Sequence, residues 1–99
     1  MIIKIHDSPL KYKRYRVLMD NGKTFDFGLK NASTYLEHKD KIMRENYGKR
    51  HLGNHIEKTL IENLVPSPAL FSYYLLWGKY TDLDKNVQYL NNLWKKKHK

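Results

Sequence analysis

His51 and His55 stand four residues apart, the spacing at which two imidazoles on one helix can share a zinc ion. Gly53-Asn54 lies between them and is expected to break that helix, and no glutamate follows His51 to complete a His-Glu-x-x-His site. Asp26-Phe27-Gly28 spells the kinase magnesium motif, but 99 residues cannot hold that fold and no glycine-rich loop precedes it. His38-Lys39-Asp40 matches the phospholipase D-like motif only in its letters, because that motif spaces its lysine and aspartate further along the chain. Asn31-Ala32-Ser33 is a glycosylation sequon, which means little in a chain expected to work inside a cell. There is no phosphate-cradling glycine loop, no serine elbow and no carboxylate pair. The expectation is a non-enzymatic protein with no catalytic residues, no metal and no cofactor.

Lys11-Tyr12-Lys13-Arg14-Tyr15-Arg16 carries more information. A strand that offers cations beside flat rings can hold phosphates and stack a base. The bland counterpart is an edge strand whose lysines and arginines block sheet-to-sheet aggregation. A second basic stretch, Lys39 to Arg50, contributes Lys39, Lys41, Arg44, Lys49 and Arg50, and a third is the C-terminal Lys95-Lys96-Lys97-His98-Lys99. Tyr73 and Trp77 are candidates for a partner-binding aromatic patch, although aromatics among leucines are more often core.

The formal net charge is +9, and its placement matters more than its size. Residues 1–50 carry twelve basic and six acidic groups, whereas residues 51–94 carry three and four. The excess therefore sits in the three clusters, for which a polyanion is the natural counterpart. There are no cysteines, so neither disulfides nor thiolate metal sites are available. No apolar run approaches a membrane span, and the N-terminus does not read as a signal peptide. These features fit an intracellular protein with no membrane partner.

The elements that must position these groups fall into a β half and a helical half, an α+β fold in one small domain over residues 1–94 with a basic tail at 95–99. Asp20-Asn21-Gly22 predicts a hairpin between the strand ending at Met19 and the one beginning at Thr24, with Ile2, Ile3 and Ile5 offering a third strand. A three-residue loop with Gly22 left-handed pairs Val17 with Phe25, Tyr15 with Phe27 and Arg16 with Asp26, separating apolar from charged side chains. Thr34 and Glu37 have capping-box spacing. Asp40 reads as the N-cap of a helix whose Met43, Tyr47 and His51 face inward while Lys41, Arg44, Lys49 and Arg50 face out. Asn54 caps a further helix with Ile56, Leu60, Ile61 and Leu64 on its apolar face. Ser67-Pro68 opens an almost wholly apolar helix to Trp77, stopped by Gly78 and expected to be the central one. Leu83, Val87, Leu90 and Trp94 mark the buried stripe of the last helix.

The run His38-Lys39-Asp40, Tyr47 and Arg50-His51, with Lys13–Val17 and Phe27-Gly28 upstream and Ser72 and Leu75–Gly78 downstream, resembles a family of small uncharacterised proteins. These are encoded chiefly by large nucleocytoplasmic DNA viruses, including giant viruses of amoebae, and have no established activity. The resemblance implies a viral origin and a place in the host cytoplasm or nucleus, or in the virion. The leading expectation is a protein that binds nucleic acid, DNA before RNA, through the phosphate backbone with little sequence preference. The rival is a structural or interaction protein, a homodimer or the binder of another viral or host protein through an apolar helical face.

Overall fold

The computed structural model describes residues 1–97. Strands β1 (Ile2–Asp7), β2 (Lys13–Met19) and β3 (Thr24–Leu29) form an antiparallel sheet in the order β1-β2-β3. Helices α1 (Tyr35–His38), α2 (Lys41–Leu52), α3 (His55–Glu62), α4 (Pro68–Phe71) and α5 (Leu83–Lys97) follow, with a π-helical turn over Ser72–Leu76 continuing α4. The fold is α+β, as the sequence predicts.

The hairpin register is the one that segregates apolar from charged. Val17 pairs with Phe25, Tyr15 with Phe27 and Arg16 with Asp26, and Gly22 takes φ +84° in the loop. Arg16 and Asp26 meet in two 3.0 Å hydrogen bonds, and the Ser8 hydroxyl donates to the same carboxylate at 2.7 Å. These donors hold the Asp26 carboxyl below its ordinary range. The Asp26-Phe27-Gly28 letters are thus explained by sheet structure. β1 breaks its register between Ile2 and Lys4, and that irregularity lets both Ile2 and Ile5 face the core while Ile3 and Lys4 turn outward. Asn91 of α5 secures the strand end, accepting from the Ile2 amide at 2.9 Å and donating to its carbonyl at 3.0 Å.

One face of the sheet packs on α4 and the π-helical turn. Val17, Phe27, Leu70, Phe71, Leu75 and Leu90 have no exposed surface, so the central place expected for the apolar segment after Ser67 is correct. Ser67 caps α4 by accepting from the Leu70 amide at 3.2 Å, with proline in the first turn. The segment is not uniformly α-helical. The Trp77 amide reaches back to the Ser72 carbonyl at 3.1 Å, the wider π spacing. Gly78 ends it through a close approach and not through a left-handed φ: a Cβ there would lie 2.0 Å from the Tyr74 carbonyl oxygen. Asn86, fully buried on α5, closes the turn by accepting from the Tyr80 amide at 2.9 Å and donating to the carbonyls of Leu75 and Tyr80.

Two helical faces differ from expectation. On α2 the inward positions are Arg44, Tyr47, Gly48, His51 and Leu52, while Met43 is 48% exposed. An i, i+3, i+4, i+7 stripe replaces the i, i+4, i+8 one because Arg44 finds buried carbonyl partners that a methionine cannot use. On α3, Ile56 is outward and Glu57 takes the inward place, since Glu57 pairs with His51. α5 runs to Lys97, so Lys95, Lys96 and Lys97 form its last turn and not a separate tail; His98 and Lys99 lie outside the described residues.

Candidate functional site

Of the expected phosphate-binding cations, three are committed to the fold. Arg14 reaches from β2 to α1 and makes two 2.8 Å hydrogen bonds to the Glu37 carboxylate, whose Oε1 also accepts from the Thr34 amide at 2.9 Å. The capping box at Thr34 is therefore also an anchor for the sheet. The guanidinium holds the Glu37 carboxyl down to about 2, and its own pKa is raised in return. Arg16 is held by Asp26. Arg44 donates from Nε to the carbonyls of Gly78 (2.8 Å) and Trp77 (3.2 Å) and lies over the Tyr35 ring. A half-buried guanidinium satisfying carbonyls at the end of the π-helical turn is a structural part, so the outward role expected for Arg44 is incorrect.

The remaining cations fall into three places. Lys11 and Tyr12 precede β2 in a turn, with Tyr12 71% exposed and Lys11 above its ring. The Lys30 amide donates to the Tyr12 carbonyl at 3.2 Å, which brings Lys30 beside them. Lys11, Tyr12, Lys30, Leu29 and Ala32 line one shallow depression. Leu29 and Ala32 also line a neighbouring cavity of about 390 Å³, whose opposite side carries Arg50, Tyr47 and His51. Arg50 is thus brought near Lys11 and Lys30 through two depressions that share Leu29 and Ala32. Lys13, paired with Leu29, adjoins them and is half-buried, whereas Lys49, the residue before Arg50 on α2, lines a groove on the other side of Tyr47 and is loosely paired with Glu45 at 3.6 Å. Lys39 and Lys41 flank Asp40 at the far end of α2, about 14 Å along the helix from Arg50. Lys95, Lys96 and Lys97 lie beyond the other end of the hairpin, where Lys95 neighbours Met19 and Asp20 and the Lys97 ammonium donates to the Asn63 carbonyl.

The cavity is built on a column of rings. His38, Trp77, Tyr47 and His51 follow one another with centroids 5.1, 4.4 and 4.0 Å apart, Tyr47 and Trp77 being parallel to within 6°. The π spacing sets Ser72, Leu76 and Trp77 along one wall. Burial pushes the Tyr47 phenol up to about 12, with Ser72 opposing the shift, so the hydroxyl stays protonated. Arg50 lies over the Tyr47 ring at 5.7 Å. His51 Nδ1 hydrogen-bonds the Glu57 carboxylate, which orients the imidazole and leaves Nε2 as its second polar atom. Asn54 caps α3 by accepting from the amides of Ile56 and Glu57, so the break between His51 and His55 is real and the paired-histidine helix does not form. Among the described residues no three His, Asp or Glu side chains gather as a metal site. Tyr73 and Trp77 line a groove on the other side of Tyr47, beside Gly48 and Leu52, and both are half-buried.

Lys30 and the His51–Glu57 pair are additions that sequence reasoning missed. Lys30 was accessible, because extending the hairpin register three pairs beyond Tyr15–Phe27 places it opposite Tyr12. Glu57 was not, since its partner lies across a helix break.

Residues 3–51 match the profile of a family of unknown function, DUF5754. The chain is similar to that family across the sheet (except for Ile2), α1 and all but the last residue of α2; Ser72 and Leu75–Gly78 lie outside the matched stretch. No curated protein and no solved structure matches the chain. Among the described residues no helix is long and apolar enough to cross a membrane.

Proposed function

We propose that this protein binds nucleic acid through the phosphate backbone with little sequence preference, using Lys11, Lys30, Lys49 and Arg50 as cations and Tyr12 as a stacking ring. The observation that carries the reading is the approach of Arg50 to Lys11 and Lys30, remote from it in sequence, across the two depressions that share Leu29 and Ala32. Among the described residues, Lys11, Lys30 and Arg50 make no ion pair, in contrast to Arg14 and Arg16. Unpaired cations are free to neutralise phosphates and so release the counter-ions condensed on the nucleic acid, which is the source of salt-dependent affinity. An exposed tyrosine adds sequence-tolerant stacking. Lys95–Lys97, at the other end of the hairpin, supply a separate and weaker contact.

The resemblance to small proteins of large DNA viruses supports DNA over RNA and a role in handling or packaging a viral genome, in the host cytoplasm or nucleus or in the particle. A gel-shift titration across salt tests the binding: affinity at low salt that falls steeply as salt rises supports it, and no binding at low salt overturns it. The rival reading, a protein that pairs with itself or with another protein, draws on the exposed Ile42, Met43 and Ile56 of α2 and α3. Light scattering separates the two, because a stable dimer that covers Arg50 and Lys30 would favour the rival.

A further inference from the structure

We infer that the cavity beside the basic surface takes one unstacked nucleotide of the bound strand, so that the preferred ligand is a single strand or a strand end and not a closed duplex. This rests on the nucleic-acid reading and adds to it the form of nucleic acid recognised.

Its volume of about 390 Å³ falls at the lower end of the range for small-ligand sites. Its chemistry is divided as a nucleotide is. Leu29 and Leu76 and the ring column formed by Tyr47 and Trp77 provide apolar contact for a base, while Arg50 at the wall provides a charge for its phosphate. Ser72 and the Glu57-oriented His51 supply the few directional polar groups that a base edge would use. The neighbouring depression with Lys11, Tyr12 and Lys30 shares Leu29 and Ala32 with the cavity. A strand held by its phosphates there therefore runs past the cavity mouth. Bases in a duplex stay stacked and paired, and delivering one to such a site costs its unstacking, whereas a single strand offers one directly.

The experiment uses the whole chain and two kinds of ligand. Thymidine monophosphate titrated into the low millimolar range should move the side-chain NMR signals of Tyr47, His51 and Trp77. A single strand should also bind about tenfold or more tightly than a duplex of equal length at the same salt, because it delivers a base without the cost of unstacking one. Ser33→Trp places a bulky ring at the cavity rim from an exposed loop position without changing charge. It should abolish the mononucleotide shifts and bring single strand and duplex to within about twofold, while duplex affinity and melting temperature hold. Unmoved signals with the wild-type protein overturn the inference, as does a Ser33→Trp variant that keeps the full preference for single strands. If duplex binding and its salt dependence persist in either case, the basic-surface reading stands without the cavity. If neither polymer binds at low salt, both readings fall.

Discussion

The ring of Tyr47 lies against that of Trp77 with centroids 4.4 Å apart and planes 6° from parallel, joining α2 to the end of the π-helical turn. α2 has no fully buried residue, so this stack, the Arg44–Gly78 hydrogen bond and the half-buried His51 and Leu52 are what dock it. An offset aromatic pair adds about 0.5–1.5 kcal/mol beyond its area. A double-mutant cycle of Tyr47→Leu and Trp77→Leu should therefore return a coupling near 1 kcal/mol in chemical denaturation. Amide exchange in α2 should also accelerate well before that of α5. Additive single effects would mean that the rings are neighbours without being partners.

The Arg14–Glu37 pair gives the stability a defined acid limb. Glu37 titrates at about 2 in the folded chain against an ordinary 4.5, chiefly because of the Arg14 hydrogen bonds. The unfolded chain takes up this proton first as pH falls, so the contribution is complete above about pH 4.5 and is lost on the way down to about 2. Glu37→Gln should flatten the dependence of melting temperature on pH in that window and leave it unaltered at pH 7 and above, apart from a constant offset. An unchanged acid limb in the variant would contradict the assignment.

Two glycines are required for different reasons, and the variants should separate them. Gly22 sits at φ +84° with open space around it, so Gly22→Ala should cost about 1–2 kcal/mol from backbone strain alone. Gly78 has an ordinary φ but no room, and Gly78→Ala forces the Tyr74 carbonyl and Asn86 apart. It should cost more than about 3 kcal/mol and disturb the Arg44 site, a value that urea denaturation can read. Similar costs at the two positions would show that close packing at Gly78 is not the constraint.

Asn86 is the most consequential buried polar group. Asn86→Ala strands the Tyr80 amide and the carbonyls of Leu75 and Tyr80, a loss of about 2–4 kcal/mol. Asn86→Asp keeps an acceptor but loses both donated bonds, so it should not rescue the melting temperature. A mild effect of the alanine variant would require water to replace three hydrogen bonds.

The elements that were legible in the sequence are those fixed by local rules. The hairpin register followed from keeping Arg16 opposite Asp26 and apolar opposite apolar, and the caps at Asp40, Asn54 and Ser67 followed from side chains that bind amides two or three residues on. What was not legible depends on long-range partners. Nothing near Arg44 in sequence indicates that it faces Trp77 and Gly78, and charge alone argued for the outside. The π spacing after Phe71 and the burial of Asn86 belong to the same contact between that turn and α5. For the candidate site, Lys11, Lys49 and Arg50 were named from charge and position. Arg14 and Arg16 were named for the same reason but are held in ion pairs by Glu37 and Asp26.

That division of the cations is the central claim, and the salt dependence of duplex DNA affinity tests it most directly. On duplex DNA each neutralised phosphate steepens the log–log slope by about 0.9. The combined Lys11→Ala, Lys30→Ala, Lys49→Ala and Arg50→Ala variant should lose up to about 3.6 from the slope with little change in melting temperature. Arg16→Ala should do the reverse, lowering stability while leaving the slope unchanged. A wild-type affinity that does not vary with salt, or a slope that the fourfold variant leaves intact, would contradict the account.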